Sequence, residues 1–237
     1  TLTSQDLRVD TLTVNKSAHF FSLTIDEVKS VGGLMVISPA NAKIEKVEYT
    51  NTYTRCFFKA EDGQGNIIAN QFVAGDLAVC HTFNVAEDYS FQPTIRYYWR
   101  LVIGVGIEDI DGTPYHFIVL SNTECDPNSN DLPREGDNVA LLGNRNDSSR
   151  QNAIIISAYN SSYLDRLIAA PSIVQYKGIR SFSLTLNRVN VISQGINQFK
   201  GNFIFTSGDN VENVIASIKA STDGIETKVE NLEGEFT

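Results

Sequence analysis

The sequence predicts an all-β-dominated protein: antiparallel sheets arranged as small barrels or a sandwich, with a short N-terminal helix and a C-terminal coiled-coil helix. Three observations predict it. From residue 34 to 205, short runs rich in Val, Ile, Phe, Tyr and Thr are separated by Gly, Pro, Asn and Asp, and helical periodicity is nearly absent. Before that stretch, Val14, Ala18, Phe21, Ile25 and Val28 recur at spacings of 4, 3, 4 and 3, which places them on one helical face. After it, Val211, Ile215, Ile218, Thr222, Ile225, Val229, Leu232 and Phe236 recur at 4, 3, 4, 3, 4, 3 and 4. The expected organisation is an N-terminal strand and amphipathic helix (1–33), a first β unit (34–125), a second β unit (126–206) and an oligomerisation helix (207–237).

Residues 7–14 alternate and are β-branched, which suits a strand or extended stalk. Residues 17–31 carry the helical face, and Gly32-Gly33 supplies the stop. Strands are then expected at 34–38, 44–50, 54–59, 66–70, 77–83, 97–105, 115–120, 138–142, 153–158, 181–186 and 202–206. Asp62-Gly63-Gln64-Gly65-Asn66 reads as a hairpin loop. The polar, Pro-bounded loop 125–133 is expected to divide the two β units. Gly75-Asp76 and Gly136-Asp137 each precede an apolar strand, where Gly takes positive φ and the Asp carboxylate accepts backbone N–H groups. They are either a structural repeat or two ordinary turns.

The C-terminal seam follows the heptad rule of a coiled coil. Asp209 followed by Glu212 resembles a capping pair, so the helix should begin near residue 210. Ile215, Thr222 and Val229 occupy one seam position, and Ile218, Ile225 and Leu232 the other, so β-branched residues stand at both. That composition favours three or more strands over two. The alternative is an amphipathic helix packed on the chain's own β body. The chain opens without Met and stops at Thr237 in mid-seam, as expected of a section of a longer protein.

Composition narrows the chemistry. The 237 residues carry 28 acids against 19 bases, a net charge of −9. An acidic chain with no basic stripe argues against a nucleic-acid partner. No window approaches the length of a membrane span. Cys56, Cys80 and Cys125 are odd in number and widely spaced, which suggests free thiols, not a disulfide framework or a zinc site. His19, His81 and His116 form no metal-ligand spacing, and there is no nucleophile elbow or phosphate-binding glycine motif. Neither catalytic residues nor a cofactor or metal are assigned. The cluster Glu108-Asp109-Ile110-Asp111-Gly112 is the best carboxylate candidate, yet it reads as a hairpin loop. Gly104-Val105-Gly106 marks a bend or bulge within a strand. Tyr97 and Trp99 share one side of their strand and are the candidate ligand-stacking pair, while Tyr98 takes the other side. The polar loop 144–151 reads as a solvated connector.

Several runs carry a resemblance. They include residues 32–41, Gly75-Asp76-Leu77-Ala78-Val79-Cys80-His81-Thr82-Phe83, Tyr97-Tyr98-Trp99-Arg100, and 136–144 with 149–155. Together they are similar to tail-associated structural proteins (tail fibre or minor tail) of prophages from gut bacteria. The resemblance implies a structural section of a phage or prophage tail fibre, located in the virion tail after synthesis in the bacterial cytoplasm. It implies homotrimers, other tail proteins as partners, and possible attachment to a host surface glycan. It brings no active site. The alternatives are a polysaccharide-degrading tail enzyme and a bacterial carbohydrate-binding module.

Overall fold

The computed structural model describes residues 33–61, 67–85, 94–129, 131–160, 164–165, 168–201, 218–223 and 225. The N-terminal strand and helix, the loop at 62–66 and the strand at 202–206 lie outside them. Among the described residues, twelve strands form two antiparallel sheets. They are β1 (Leu34–Ile37), β2 (Asn41–Lys43), β3 (Lys46–Tyr49), β4 (Tyr53–Lys59), β5 (Asp76–Val85), β6 (Thr94–Ile110), β7 (Thr113–Cys125), β8 (Asn138–Asn144), β9 (Ala153–Ser157), β10 (Ser172–Tyr176), β11 (Arg188–Ser193) and β12 (Ile196–Phe199). The seven-stranded sheet has the order β2-β8-β5-β6-β7-β4-β3, and the five-stranded sheet the order β1-β9-β10-β11-β12.

The larger sheet closes on itself. Its two edges, β2 and β3, are one stretch of chain joined by Ile44 and Glu45. The Ile44 N–H donates to the Asp137 carbonyl next to β8 at 2.8 Å, and the Glu45 N–H donates to the Phe57 carbonyl of β4 at 2.8 Å. One bent strand therefore pairs with both neighbours, and no open edge remains between them. Strand alternation then sorts the side chains. Ile44, Cys56, Cys80, Tyr98, Ile118 and Leu141 fill the barrel. Leu77, Val79, Tyr97, Trp99 and Leu142, from the outer face of the same barrel, pack on Ala153, Ile155, Val174, Tyr176 and Val191 of the five-stranded sheet.

The two Gly-Asp segments are the same turn. In each, Gly lies at positive φ (97° at Gly75, 86° at Gly136), as the third position of a type II turn requires. The Asp N–H donates back three residues, from Asp76 to the Val73 carbonyl and from Asp137 to the Arg134 carbonyl, both at 3.2 Å. The carboxylates accept the N–H of the same residues, at 2.8 Å from Val73 and 2.9 Å from Arg134. Each also takes a forked arginine. Arg150 Nε and Nη2 reach the two oxygens of Asp76 at 2.8 and 2.7 Å, and Arg96 Nε and Nη2 reach those of Asp137 at 2.7 and 2.9 Å. Asp76 shares the inward parity of Ala78 and Cys80, and Asp137 that of Val139 and Leu141. Since β5 and β8 run antiparallel, the pairs stand at opposite ends of the barrel.

Three expectations are corrected. Residue 126 does not separate two β units: β8 lies between β2 and β5, and β1 pairs with β9. The loop after β7 instead runs along β6. The Asp126 N–H donates to the Trp99 carbonyl at 2.9 Å, and the Trp99 N–H donates to Ser129 Oγ at 2.8 Å. Residues 181–186 are not a strand. Phe182 and Leu184 do plug the inter-sheet core, but the Ser183 and Asn187 N–H groups bond to the Ser181 and Leu184 carbonyls, so local turns replace a ladder. Beyond the bridge Glu61↔Ile67, residues 68–73 are irregular, so the described part of the strand expected at 66–70 is not a strand. The sequence reading also did not anticipate β10, β11 and β12.

Removing one partner of a buried ion pair leaves an uncompensated charge, at a cost of about 3–5 kcal/mol. Asp76→Ala should lower the unfolding free energy by about that amount in urea titration, while Asp109→Ala in the exposed hairpin should cost under about 1 kcal/mol. Equal losses would show that burial of the carboxylate is not what matters.

Candidate functional site

Of the seam, residues 218–223 and 225 are described, and all are helical. Ile218, Thr222 and Ile225 recur at spacings of four and three and share one face. The Thr222 hydroxyl donates to the Ile218 carbonyl at 3.0 Å, so its polar group is satisfied within the helix. Ile218 and Ile225 are 61% and 63% exposed, so at these positions the apolar edge is not folded onto the β body. Val211, Ile215, Val229, Leu232 and Phe236 lie outside the described residues.

The aromatic pair is not on the surface. Tyr97 and Trp99 do share one side of β6, but each is only 1% exposed. Trp99 meets Phe182 edge to face at 5.5 Å, and the Tyr97 hydroxyl donates to the buried carboxylate of Asp126. Both rings are core, because the second sheet covers the barrel face they occupy. That overturns the ligand-stacking assignment.

The carboxylate cluster is a hairpin end. Asp111 and Gly112, at φ 53° and 79°, form the two-residue turn between β6 and β7, and Asp109 Oδ1 accepts the Gly112 N–H at 2.7 Å. The loop 144–151 is an anchor and not only a connector. Asn144 Nδ2 donates to Asp76 at 2.8 Å, Asn144 Oδ1 accepts the Asn146 and Asp147 N–H groups at 2.8 Å, and Gln151 Nε2 donates to the Asn144 carbonyl at 2.8 Å. Residues 145–149 between these anchors are exposed, as a solvated connector is, and nothing in the spacing of Asn144 and Gln151 marks those two as buried.

One titratable pair was not singled out from sequence. His81, on the outer face of β5, accepts at Nδ1 from, or donates to, the Tyr159 hydroxyl at 3.1 Å, and its ring stacks on Tyr159 with centroids 6.0 Å apart. His81 also lines a groove of about 400 Å³ with Val36, Asn41, Lys43, Val79 and Asn138, between β1 and β8. Burial pushes its pKa down to about 4 and that of Tyr159 up to about 12. Both are neutral at pH 7 and act there as hydrogen-bonding groups. Their separation of 78 positions explains why sequence spacing did not join them. Cys56 and Cys80 are buried and Cys125 is half-buried, and none of the three is in a disulfide; burial raises the Cys56 pKa well above its ordinary value. Among the described residues, no group of three or more His, Cys, Asp or Glu is placed to hold a metal ion, and no helix is long and apolar enough to cross a membrane.

No family model, curated protein or solved structure matches this chain.

Two outcomes are expected. Trp99→Ala should cost about 3–5 kcal/mol in denaturant unfolding, the loss typical of a large buried ring and not of a surface platform. For His81, the unfolded chain takes up a proton between pH 6.5 and about 4 that the folded chain refuses, so stability falls as pH drops through that window. His81→Asn should therefore show a smaller difference in urea midpoint between pH 7 and about pH 4.5 than the native chain. Equal differences would place the acid sensitivity elsewhere.

Proposed function

We propose that this chain is a structural section of a phage or prophage tail fibre, whose C-terminal helix joins three copies and whose β body links neighbouring parts of the fibre. The carrying observation is the exposed apolar edge formed by Ile218 and Ile225 within the heptad seam. β-Branched residues at both seam positions, with Ile215 at one and Ile218 and Ile225 at the other, suit three helices better than two. A helix with its apolar edge in water gains little from propensity alone and is stabilised chiefly by packing against partners.

The course of the chain through the body supports this reading. β1 and β12 are opposite edges of one sheet, and four successive antiparallel pairings make them parallel to each other. The chain thus enters β1 at one end of the sheet and leaves β12 at the other, a pass-through path suited to a section carrying load along an axis. Trimerisation would hold three bodies side by side, so that a weak contact with a host surface glycan gains by effective concentration, by roughly 10²-fold or more where geometry permits. A polysaccharide-degrading enzyme and a carbohydrate-binding module remain the other readings; the aromatic pair that sugar stacking would use is inside the core, and Asp109 is engaged in its turn.

The test is solution mass by light scattering. The native chain should weigh three times its 26.2 kDa, and Ile218→Asp with Ile225→Asp should reduce it to one chain with the Trp99 emission unchanged. A native monomer, or a double variant that keeps the native mass, sinks the trimer.

A further inference from the structure

The outer face of the five-stranded sheet is apolar where a solvent face would alternate with polar residues. Strand register aligns Met35, Ile156, Ile173 and Ile192 in one row across β1, β9, β10 and β11. They are 42%, 38%, 45% and 48% exposed. Ile37 stands opposite Ile154 in the next row. A groove of about 510 Å³ lies over the first row, with Gly33 and Pro171 at its rim. The strand sequences agree with this geometry. Leu34-Met35-Val36-Ile37 and Ala153-Ile154-Ile155-Ile156 are unbroken apolar runs, the composition of strands covered on both faces. Leu34, Val36, Ala153 and Ile155 face the inter-sheet core. The other side of each run calls for a second cover.

Chain continuity points to what supplies it. Gly33, at φ 99°, lines the groove and leads directly into β1, so the segment before it arrives at the groove's edge. That segment carries the helical apolar pattern Ala18, Phe21, Ile25 and Val28. At 1.5 Å per residue its edge from Ala18 to Val28 is about 15 Å long. The row from β1 to β11 crosses three strand spacings, about 14 Å. With Val28 nearest Gly33 and β1, Ala18 reaches β11. Asp26, Glu27 and Lys29 lie off the apolar face in that arrangement.

We propose that residues 17–31 form a helix that docks across the outer face of the five-stranded sheet of the same chain, seating Phe21 and Ile25 over the row Met35, Ile156, Ile173 and Ile192. The body then has three layers, helix on sheet on barrel. The inference does not depend on the tail-fibre reading, nor on the C-terminal seam.

Met35 is the single methionine of the chain, so its oxidation by hydrogen peroxide, followed by intact mass, reads the cover directly. In the full chain Met35 should oxidise slowly, and Phe21→Asp with Ile25→Asp should speed the reaction about tenfold, with Trp99 emission unchanged as evidence that the body is folded. Equal rates in the two proteins overturn the proposal, and so does protection that grows with protein concentration, since a second copy would then be the cover. Should the double variant fail to fold, a full chain carrying Ile25→Cys, Ile173→Cys and Cys125→Ser decides. A disulfide within one chain supports the docking; no cross-link, or one joining two chains, overturns it.

Discussion

Residues 96–102 of β6 are all buried, because the strand faces the barrel interior on one side and the five-stranded sheet on the other. Such a strand has no solvated face on which to place a polar group, so its donors and acceptors depend on partners from the protein, and Trp99 Nε1 and Arg100 Nε are buried without one. On one side β5 supplies a regular ladder. On the other side β7 departs: the register jumps between Arg100 and Val102. The loop after β7 takes over that edge. Asp131 Oδ2 accepts the Tyr97 N–H at 2.7 Å, and Arg100 Nη1 and Nη2 donate to the Ser121 and Asp131 carbonyls at 3.0 Å. A polar loop thereby acts as a substitute strand made largely of side chains.

The same demand explains the buried ion pairs. Arg96 points into the barrel from β6, and its guanidinium is acceptable there only because Asp137 meets it in a fork and the Leu132 carbonyl takes a further N–H. A third forked pair, Arg188 Nε to Asp165 at 2.7 Å, lies under the five-stranded sheet, where the Tyr176 hydroxyl also donates to Asp165 at 3.0 Å. Pairs of this kind add little net stability compared with apolar packing. Their geometric effect is clearer. Each Gly-Asp turn fixes where β5 or β8 begins, and a one-residue slip in either strand would exchange barrel residues with inter-sheet residues.

The conspicuous exposed apolar groups among the described residues are Ile218 and Ile225 of the C-terminal seam and the row across the outer sheet face. The two differ in kind. A heptad edge on a helix suits partners of the same shape, whereas a flat row beside the point of chain entry suits a local cover. Both readings treat exposed apolar area as assembly surface, the ordinary meaning of a contiguous patch of this kind. The covalent order of the chain, in at one end of a sheet and out at the other, places these surfaces toward opposite termini.

The β class, the Asp-Gly hairpin, the bulge near Gly104, the shared side of Tyr97 and Trp99, and the turn chemistry of Gly75-Asp76 and Gly136-Asp137 were all legible from residue types and spacing. Each depends on local sterics: alternation across a pleat, or the φ that only glycine takes cheaply. Tertiary structure alone decided that Tyr97 and Trp99 are core, since alternation tells which residues share a face but not what covers it. It also decided that residues 41–49 close a barrel, that β8 crosses the expected boundary at 126, and that Asn144 and Arg150, near the two ends of loop 144–151, turn inward onto Asp76. Those outcomes rest on pairings between residues far apart in the chain, where one polar sequence can as well meet water as a buried partner.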